Sequence, residues 1–285
     1  MSTMLLDVLV PAYENTQGLE RLLEAYSSAP DTVRLVVFDD SKSQSVQEFL
    51  QKHPCFHRIT YQRNIPSLGA IPNWNALLEF STARYLMVLH HDEVPMDDDF
   101  FHQIVAEIHD GLDALHLDLW LPGVFPRTLR LHSSRRIRLL VLKYCPSYLL
   151  RRNLLGPPST LVLKSRWRLP FDSEVPWLVD VDWYVRIVKQ GSLRIRCAKK
   201  AALRGIENPV SITNSLRGTP DQRRIADSLT LIKKGNSTLL LKVNAKSNKA
   251  LRVVAALESL LWYSFRLLDK AWLGLFRFKA NPWAS

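Results

Sequence analysis

The sequence predicts an α/β protein with a mostly parallel sheet flanked by helices and a helical C-terminal extension. Three observations carry that prediction. Short β-branched or aromatic runs recur at residues 5–10 (LLDVLV), 33–38 (VRLVVF), 57–61 and 84–89 (RYLMVL). Between them apolar residues fall at helical spacing, as in Leu19, Leu22, Leu23 and Tyr26, and again in Ile71, Trp74, Leu77 and Leu78. Strand–helix alternation of this kind builds a sheet covered by helices. Hydrophobic residues also make up 47% of the 285, enough for a substantial core.

The remaining elements follow the same rules. The opening MSTMLLDVLVPAYEN lacks a basic leader, and Asp7 and Pro11 interrupt its apolar run, so it reads as a first strand and not a signal peptide. A helix is expected over about 97–110, where Asp97 to Asp99 suit the positive end of the helix dipole. ALHLDLWL reads as a strand, GPPSTLVLKS as a loop entering a strand, and VDVDWYVRIVKQG as a helix ending at Gly191. Residues 127–152 mix eight Arg and Lys with apolar residues and read as a solvated helical surface. Residues 249–279 form an amphipathic helical candidate without an uncharged run long enough to span a bilayer. The expected division is a catalytic domain over 1–220 and a helical extension over 221–285, whose Trp262, Trp272 and Phe276 suit a bilayer interface or packing against the catalytic domain equally.

Charge is divided as sharply as structure. Residues 1–125 hold 7 Lys and Arg against 18 Asp and Glu, while the rest of the chain holds 31 against 9, for a net +11 overall. An acidic half suits cations and a basic half suits anions, among them phospholipid, nucleic acid or a diphosphate-linked substrate. The three cysteines, Cys55, Cys145 and Cys197, form no C-x-x-C pair and suggest a reducing compartment.

Ligands of open parallel sheets bind beyond the carboxyl ends of the strands. Three such ends are polar here: Pro11-Ala12-Tyr13-Glu14, Asp39-Asp40-Ser41 and His90-His91-Asp92-Glu93. Alternation along the strand puts His90 and Asp92 on one face and leaves His91 and Glu93 on the other as structural residues. A pair at this spacing meets one hard cation, which completes its shell with water and substrate phosphates.

VLVPAYENTQGLERLLEAY, VRLVVFDDS, RNIPSLGAIPNWN and YLMVLHHDEVP, followed by PPSTLVLKS and FDSEVPWLVDVDWYVRI, stand in the order and spacing of family-2 glycosyltransferases. The chain resembles that family over roughly residues 5–213. The resemblance implies the GT-A fold, a nucleoside-diphosphate sugar as donor with UDP as default base, and transfer with inversion. It implies that Pro11, Tyr13, Glu14 and Asp39 line the nucleoside pocket, and that Asn64, Gly69 and Asn73 lie near the diphosphate and sugar. Asp92 falls on the second position of the metal-binding D-x-D motif, with His90 where the family has Asp, so the implied Mn²⁺ or Mg²⁺ is held by His90 and Asp92. Asp180 matches the general base, while Trp183 and Asp182 are placed on the acceptor side. No histidine follows His132, and Glu207 or Asn208 stands in for the family's late ligand.

The expected acceptor is a glycan or lipid-linked molecule, in bacterial cell-surface polysaccharide synthesis. The expected location is the cytoplasm, peripheral on the anionic inner face of the membrane. Nucleic acid is the less favoured partner. Two other readings share these residues: a nucleotidyltransferase on a similar sheet, and a non-catalytic membrane- or nucleic-acid-binding protein on a degenerate transferase scaffold. Neither G-x-G-x-x-G nor G-x-x-x-x-G-K-[ST] occurs.

Overall fold

The computed structural model describes residues 4–109, 111–122, 128–150, 152–206, 220–235 and 278–280. The first half alternates as expected: β1 (Leu6–Ala12), α1 (Gln17–Ser27), β2 (Val33–Asp39), α2 (Ser45–Lys52), β3 (Ile59–Arg63), α3 (Ala70–Phe80), β4 (Tyr85–Val88), β5 (Glu93–Pro95) and α4 (Phe100–Glu107). Then follow β6 (Ala114–Pro122), β7 (Thr128–Leu131), α5 (Arg135–Tyr144), β8 (Leu161–Lys164), α6 (Val179–Lys189) and β9 (Ile195–Gly205). Beyond these lie α7 (Pro220–Lys233) and β10 (Phe278–Ala280).

The sheet runs β10-β7-β6-β8-β4-β1-β2-β3, with β9 beside β6 and β5 on β9. Only its first part is the parallel sheet expected. Strands β3, β2, β1 and β4 are parallel neighbours, and β9 is parallel to β6. The pairs β4–β8, β8–β6, β6–β7, β5–β9 and β7–β10 are antiparallel. The sheet is therefore mixed, and its direction reverses beside β4.

Period-2 alternation divides β1 between two cores. Leu6, Val8, Val10 and Ala12 pack with α1 and α4, while Leu9 faces Ile71, Trp74 and Leu77 of α3 and Trp183 of α6. Asp7, fully buried on the strand, accepts hydrogen bonds from Arg34 Nε and Nη2, Ser81 Oγ and the Thr82 and Ala83 amides. Burial pushes its carboxyl up, but these partners outweigh burial and hold it below the usual range.

The basic stretch is not wholly a solvated face. Arg138 of α5 is buried between Asp118 and His116 of β6, and Arg135 also grips Asp118. Residues 220–235 pack on the core, one of the two arrangements open for the extension. Asp227 of α7 accepts the Trp177 and Leu178 amides, Leu231 is buried in the core of α3 and α6, and Lys234 pairs with Asp172. Phe278 and Lys279, placed in the amphipathic helix by sequence, instead lie in β10, which adds a strand to the sheet edge. The rest of residues 249–279 lies outside the described residues, as do Glu207 and Asn208. No helix among the described residues is long and apolar enough to cross a membrane.

Candidate functional site

Parallel pairing brings the polar strand ends to one rim. Ala12 registers with Asp39, the Asp40 amide donates to the Ala12 carbonyl, and the Asn64 amide donates to Asp39. On the other side of β1, Leu9 registers with Val88, so residues 90–92 leave β4 beside residues 11–14. His91 Nδ1 lies 3.3 Å from the Pro11 carbonyl oxygen. Pro11, Tyr13, Asp39 and Asp92 thus share the end of the sheet where the sequence gathers them.

Several expected ligand residues turn out to brace this rim. Glu14 has a left-handed backbone (φ 52°), and its carboxylate accepts the Lys42 and Ser43 amides and the Ser43 hydroxyl. Asp39 is fully buried and accepts from the Ser41 amide and, at 2.8 Å, the Tyr61 hydroxyl. Asn64 donates to Asp40 and Asn73, and Asn73 donates to the Phe38 carbonyl. The residue that sequence reasoning missed here is Asp40. Its carboxylate gathers Asn64 Nδ2, Ser67 Oγ and the Leu68 and Gly69 amides, at 2.7–3.0 Å. Gly69 (φ 87°) starts α3 in a conformation that side-chain-bearing residues rarely adopt, with open space around its α-carbon. Tyr13 remains the exposed ring at the rim, 36% accessible.

The 90–93 segment is a turn and not a continued strand. The Glu93 amide donates to the His90 carbonyl, so strand alternation ends at Val88 and Glu93 returns to the side of His90. Possible ligand atoms of His90, Asp92 and Glu93 all lie within 4.8 Å of one another. The expectation that Glu93 points away is corrected by this turn. Ser159, fully buried in the single turn before β8, ties the group together. Its hydroxyl accepts from the His90 amide at 3.0 Å and donates to Glu93 Oε2 at 2.7 Å.

Asp180 comes to the same place from the first turn of α6. Burial first, and then the charge of Asp92, push its carboxyl up to about 7. Burial and Asp92 likewise push Glu93 well above the usual carboxylate range, and Asp180 adds to that shift. Among the described residues no Lys or Arg is paired with Asp92, Glu93 or Asp180. A cluster of carboxyl groups without a Lys or Arg partner among the described residues favours a bound cation. His90 fits as a ligand: burial lowers its imidazole to about 4 despite Asp92, so it is neutral at pH 7, and its buried Nε2 has no hydrogen-bond partner. The donor set thus suits a divalent ion.

Trp183 and Asp182, placed on the acceptor side by the resemblance, are both buried. Trp183 is fully buried, donates from Nε1 to the Leu169 carbonyl and stacks on Phe171 at 4.7 Å, which leaves no face for a ligand. Asp182, also buried, is held by Arg186 one turn along the helix. Tyr184, one turn after Asp180, is the overlooked neighbour. Its hydroxyl donates to the Pro157 carbonyl and lies 3.4 Å from Thr160 Oγ1. Rings continue from the site into the core: His90 on Trp74 at 4.7 Å, Trp74 on Phe171 at 5.2 Å, and Phe171 on Trp183.

Residues 7–182 match the family described as Glycosyl transferase family 2. The chain belongs to that family. Solved structures share its GT-A fold. Staphylococcus aureus TarS 1–349 in complex with UDP-GlcNAc superposes with a TM-score of 0.60 at 17% identity, covering 82% of this chain and 68% of that one. The crystal structure titled TarS 1–349 alone gives 0.54 at 18%, covering 71% of this chain, which spans 60% of that one. The mannosyltransferase PcManGT from Pyrobaculum calidifontis, in complex with GDP-Man and Mn²⁺, gives 0.50 at 16%, covering 90% and 80%. At these identities the likeness establishes the fold alone. No curated protein matches the sequence.

Proposed function

We propose that this glycosyltransferase moves a sugar from a nucleoside-diphosphate sugar to a hydroxyl of a glycan or lipid-linked acceptor, with inversion. The observation that carries the reading is the meeting of Asp180 with His90, Asp92 and Glu93 beside the rim formed by Tyr13 and Asp39. Tyr13 offers its exposed ring to the base, and the buried Asp39 carboxylate fixes the nucleoside end of the pocket. The Asp40-braced loop, with Asn64, Gly69 and Asn73, holds the wall beside the diphosphate. His90 and Asp92 would hold a divalent cation, which would supply Lewis-acid stabilisation of negative charge on the leaving diphosphate.

Asp180 removes the acceptor hydroxyl proton as the acceptor oxygen bonds to the anomeric carbon. The bond from that carbon to the diphosphate breaks in the same displacement, and a single displacement inverts the centre. A carboxyl held near 7 is well placed for this proton transfer, because general bases work best near the operating pH.

UDP is the default base, supported by the UDP-GlcNAc complex of TarS, with GDP as the competitor offered by PcManGT. Residues 1–220 form the catalytic unit, with the chain beyond 220 as its extension. The basic second half supports an anionic acceptor at the inner membrane face in cell-surface polysaccharide assembly.

The test is incubation with Mn²⁺ and a panel of nucleoside-diphosphate sugars, with nuclear magnetic resonance of the anomeric product. Transfer or donor hydrolysis is expected for one base, and Asp180→Asn should lower it by about 10²–10⁴-fold. Failure of any nucleoside diphosphate to bind or raise the melting temperature would overturn the reading.

A further inference from the structure

The proposed function needs a cation but leaves open what this chain's own donors do to it. His90 brings an imidazole nitrogen where an all-carboxylate site would bring oxygen. The turn at 90–93 then folds Glu93 back, so that ligand atoms of three different residues come within 4.8 Å of one another. One Glu93 oxygen, Oε2, is engaged by Ser159 at 2.7 Å and lies 3.8 Å from His90 Nδ1. The same hydroxyl accepts the His90 amide, so a single buried side chain fixes both ends of the turn. Partners of this kind set the orientation of metal-binding side chains. The ring of His90 is fixed separately, against Trp74 at 4.7 Å.

Resting on the function proposed above, we propose that Glu93 is a third ligand beside His90 and Asp92, oriented by Ser159 as a positioning residue, and that this nitrogen–oxygen–oxygen set prefers Mn²⁺ or Co²⁺ to Mg²⁺. The preference follows from ligand chemistry. Imidazole suits first-row transition ions, whereas Mg²⁺ prefers carboxylate and water and dehydrates reluctantly. Ser159 Oγ has one proton, and it is committed to Glu93, so Ser159→Ala leaves both Glu93 and the His90 amide without that partner.

The experiment titrates the full-length, metal-stripped chain with MnCl₂, CoCl₂ and MgCl₂ by calorimetry, without any sugar donor. Wild type should bind Mn²⁺ and Co²⁺ more tightly than Mg²⁺, and bound Co²⁺ should give a visible absorption band that moves in His90→Asp. Glu93→Gln and Ser159→Ala should each weaken Mn²⁺ binding by about 10–100-fold. In Ser159→Ala a rise in the Mn²⁺ needed for half-maximal transfer, with turnover at saturating Mn²⁺ retained, would mark positioning and not general damage.

Equal affinity of wild type for Mn²⁺ and Mg²⁺ overturns the preference, and that measurement needs no variant to fold. Unchanged Mn²⁺ affinity in Glu93→Gln overturns the third ligand, and in Ser159→Ala overturns the positioning role. Each of these results leaves nucleotide-sugar transfer standing. Loss of nucleotide binding in the presence of a tightly held cation would instead overturn the transferase reading alone.

Discussion

At the scale of single residues, the site is governed by where a helix turn points its side chains. Asp180 and Tyr184, four apart on α6, look toward the turn before β8, while Asp182 and Arg186 pair on another face. The family resemblance singled out Asp180 but could not rank Trp183, because a tryptophan on a helix packs inward as readily as it lines a pocket. Here it completes the ring contacts under the site. The raised Asp180 carboxyl has a consequence for stability whose sign can be worked out. Folded, it keeps its proton to about 7; unfolded, it loses it near 3.8. Between those values the native state binds more protons, so its stability falls as pH rises. In metal-stripped protein Asp180→Asn should match wild type near pH 3 and exceed it at pH 8, by up to about 4 kcal/mol. Thermal melts of both proteins at the two pH values check this, and added Mn²⁺ should narrow the gap by compensating Asp92.

At the scale of elements, strand ends and helix starts were legible to within a few residues, and the exits between them were not. Periodicity fixed β1, β2, α1 and α3 because their apolar faces repeat. It missed the turn after β4, since four residues of strand followed by a reversal look like a longer strand when read one residue at a time. It also missed Asp40, whose partners stand 24–29 residues away and are joined only by folding. Asp40→Ala should strand the Leu68 and Gly69 amides and cost roughly 2–4 kcal/mol. It should also weaken nucleotide binding; denaturant unfolding and nucleotide titration would register the two effects. Gly18 is a second hidden constraint. A Cβ there would stand 1.6 Å from the His91 carbonyl oxygen, so α1 must shift away from the turn. Gly18→Ala is expected to lose roughly 1–3 kcal/mol and to disturb Asp92, the residue after His91. A melting curve with a parallel Mn²⁺ titration would test it; unchanged Mn²⁺ affinity would show that the turn tolerates the shift.

At the scale of the molecule, the sequence's division of charge proved only half a surface property. The acidic half does supply the grouped side chains of His90, Asp92 and Glu93. Part of the basic half is spent internally, where Arg135 and Arg138 hold Asp118, with Arg138 bridging to His116. Composition counts a buried arginine and an exposed one alike, so it could not tell this network from an anion-binding face. Arg138→Ala should cost about 3–5 kcal/mol, because it leaves Asp118 buried with one partner fewer, whereas Arg138→Met with Asp118→Leu should recover most of that loss. Chemical denaturation of the single and double variants separates those outcomes. The antiparallel second part of the sheet was likewise unreadable, since strand direction depends on which neighbour each run meets. It matters to the site, because β8 runs antiparallel to β4 and so delivers Ser159 to His90.

The contact between Trp74 and His90 also gives the protein an optical reporter. Indole emission is quenched by a paramagnetic neighbour, so Mn²⁺ should dim one of eight tryptophans where diamagnetic Mg²⁺ would not. Trp74→Phe should abolish the difference, turning steady-state fluorescence into a direct readout of occupancy at the catalytic rim.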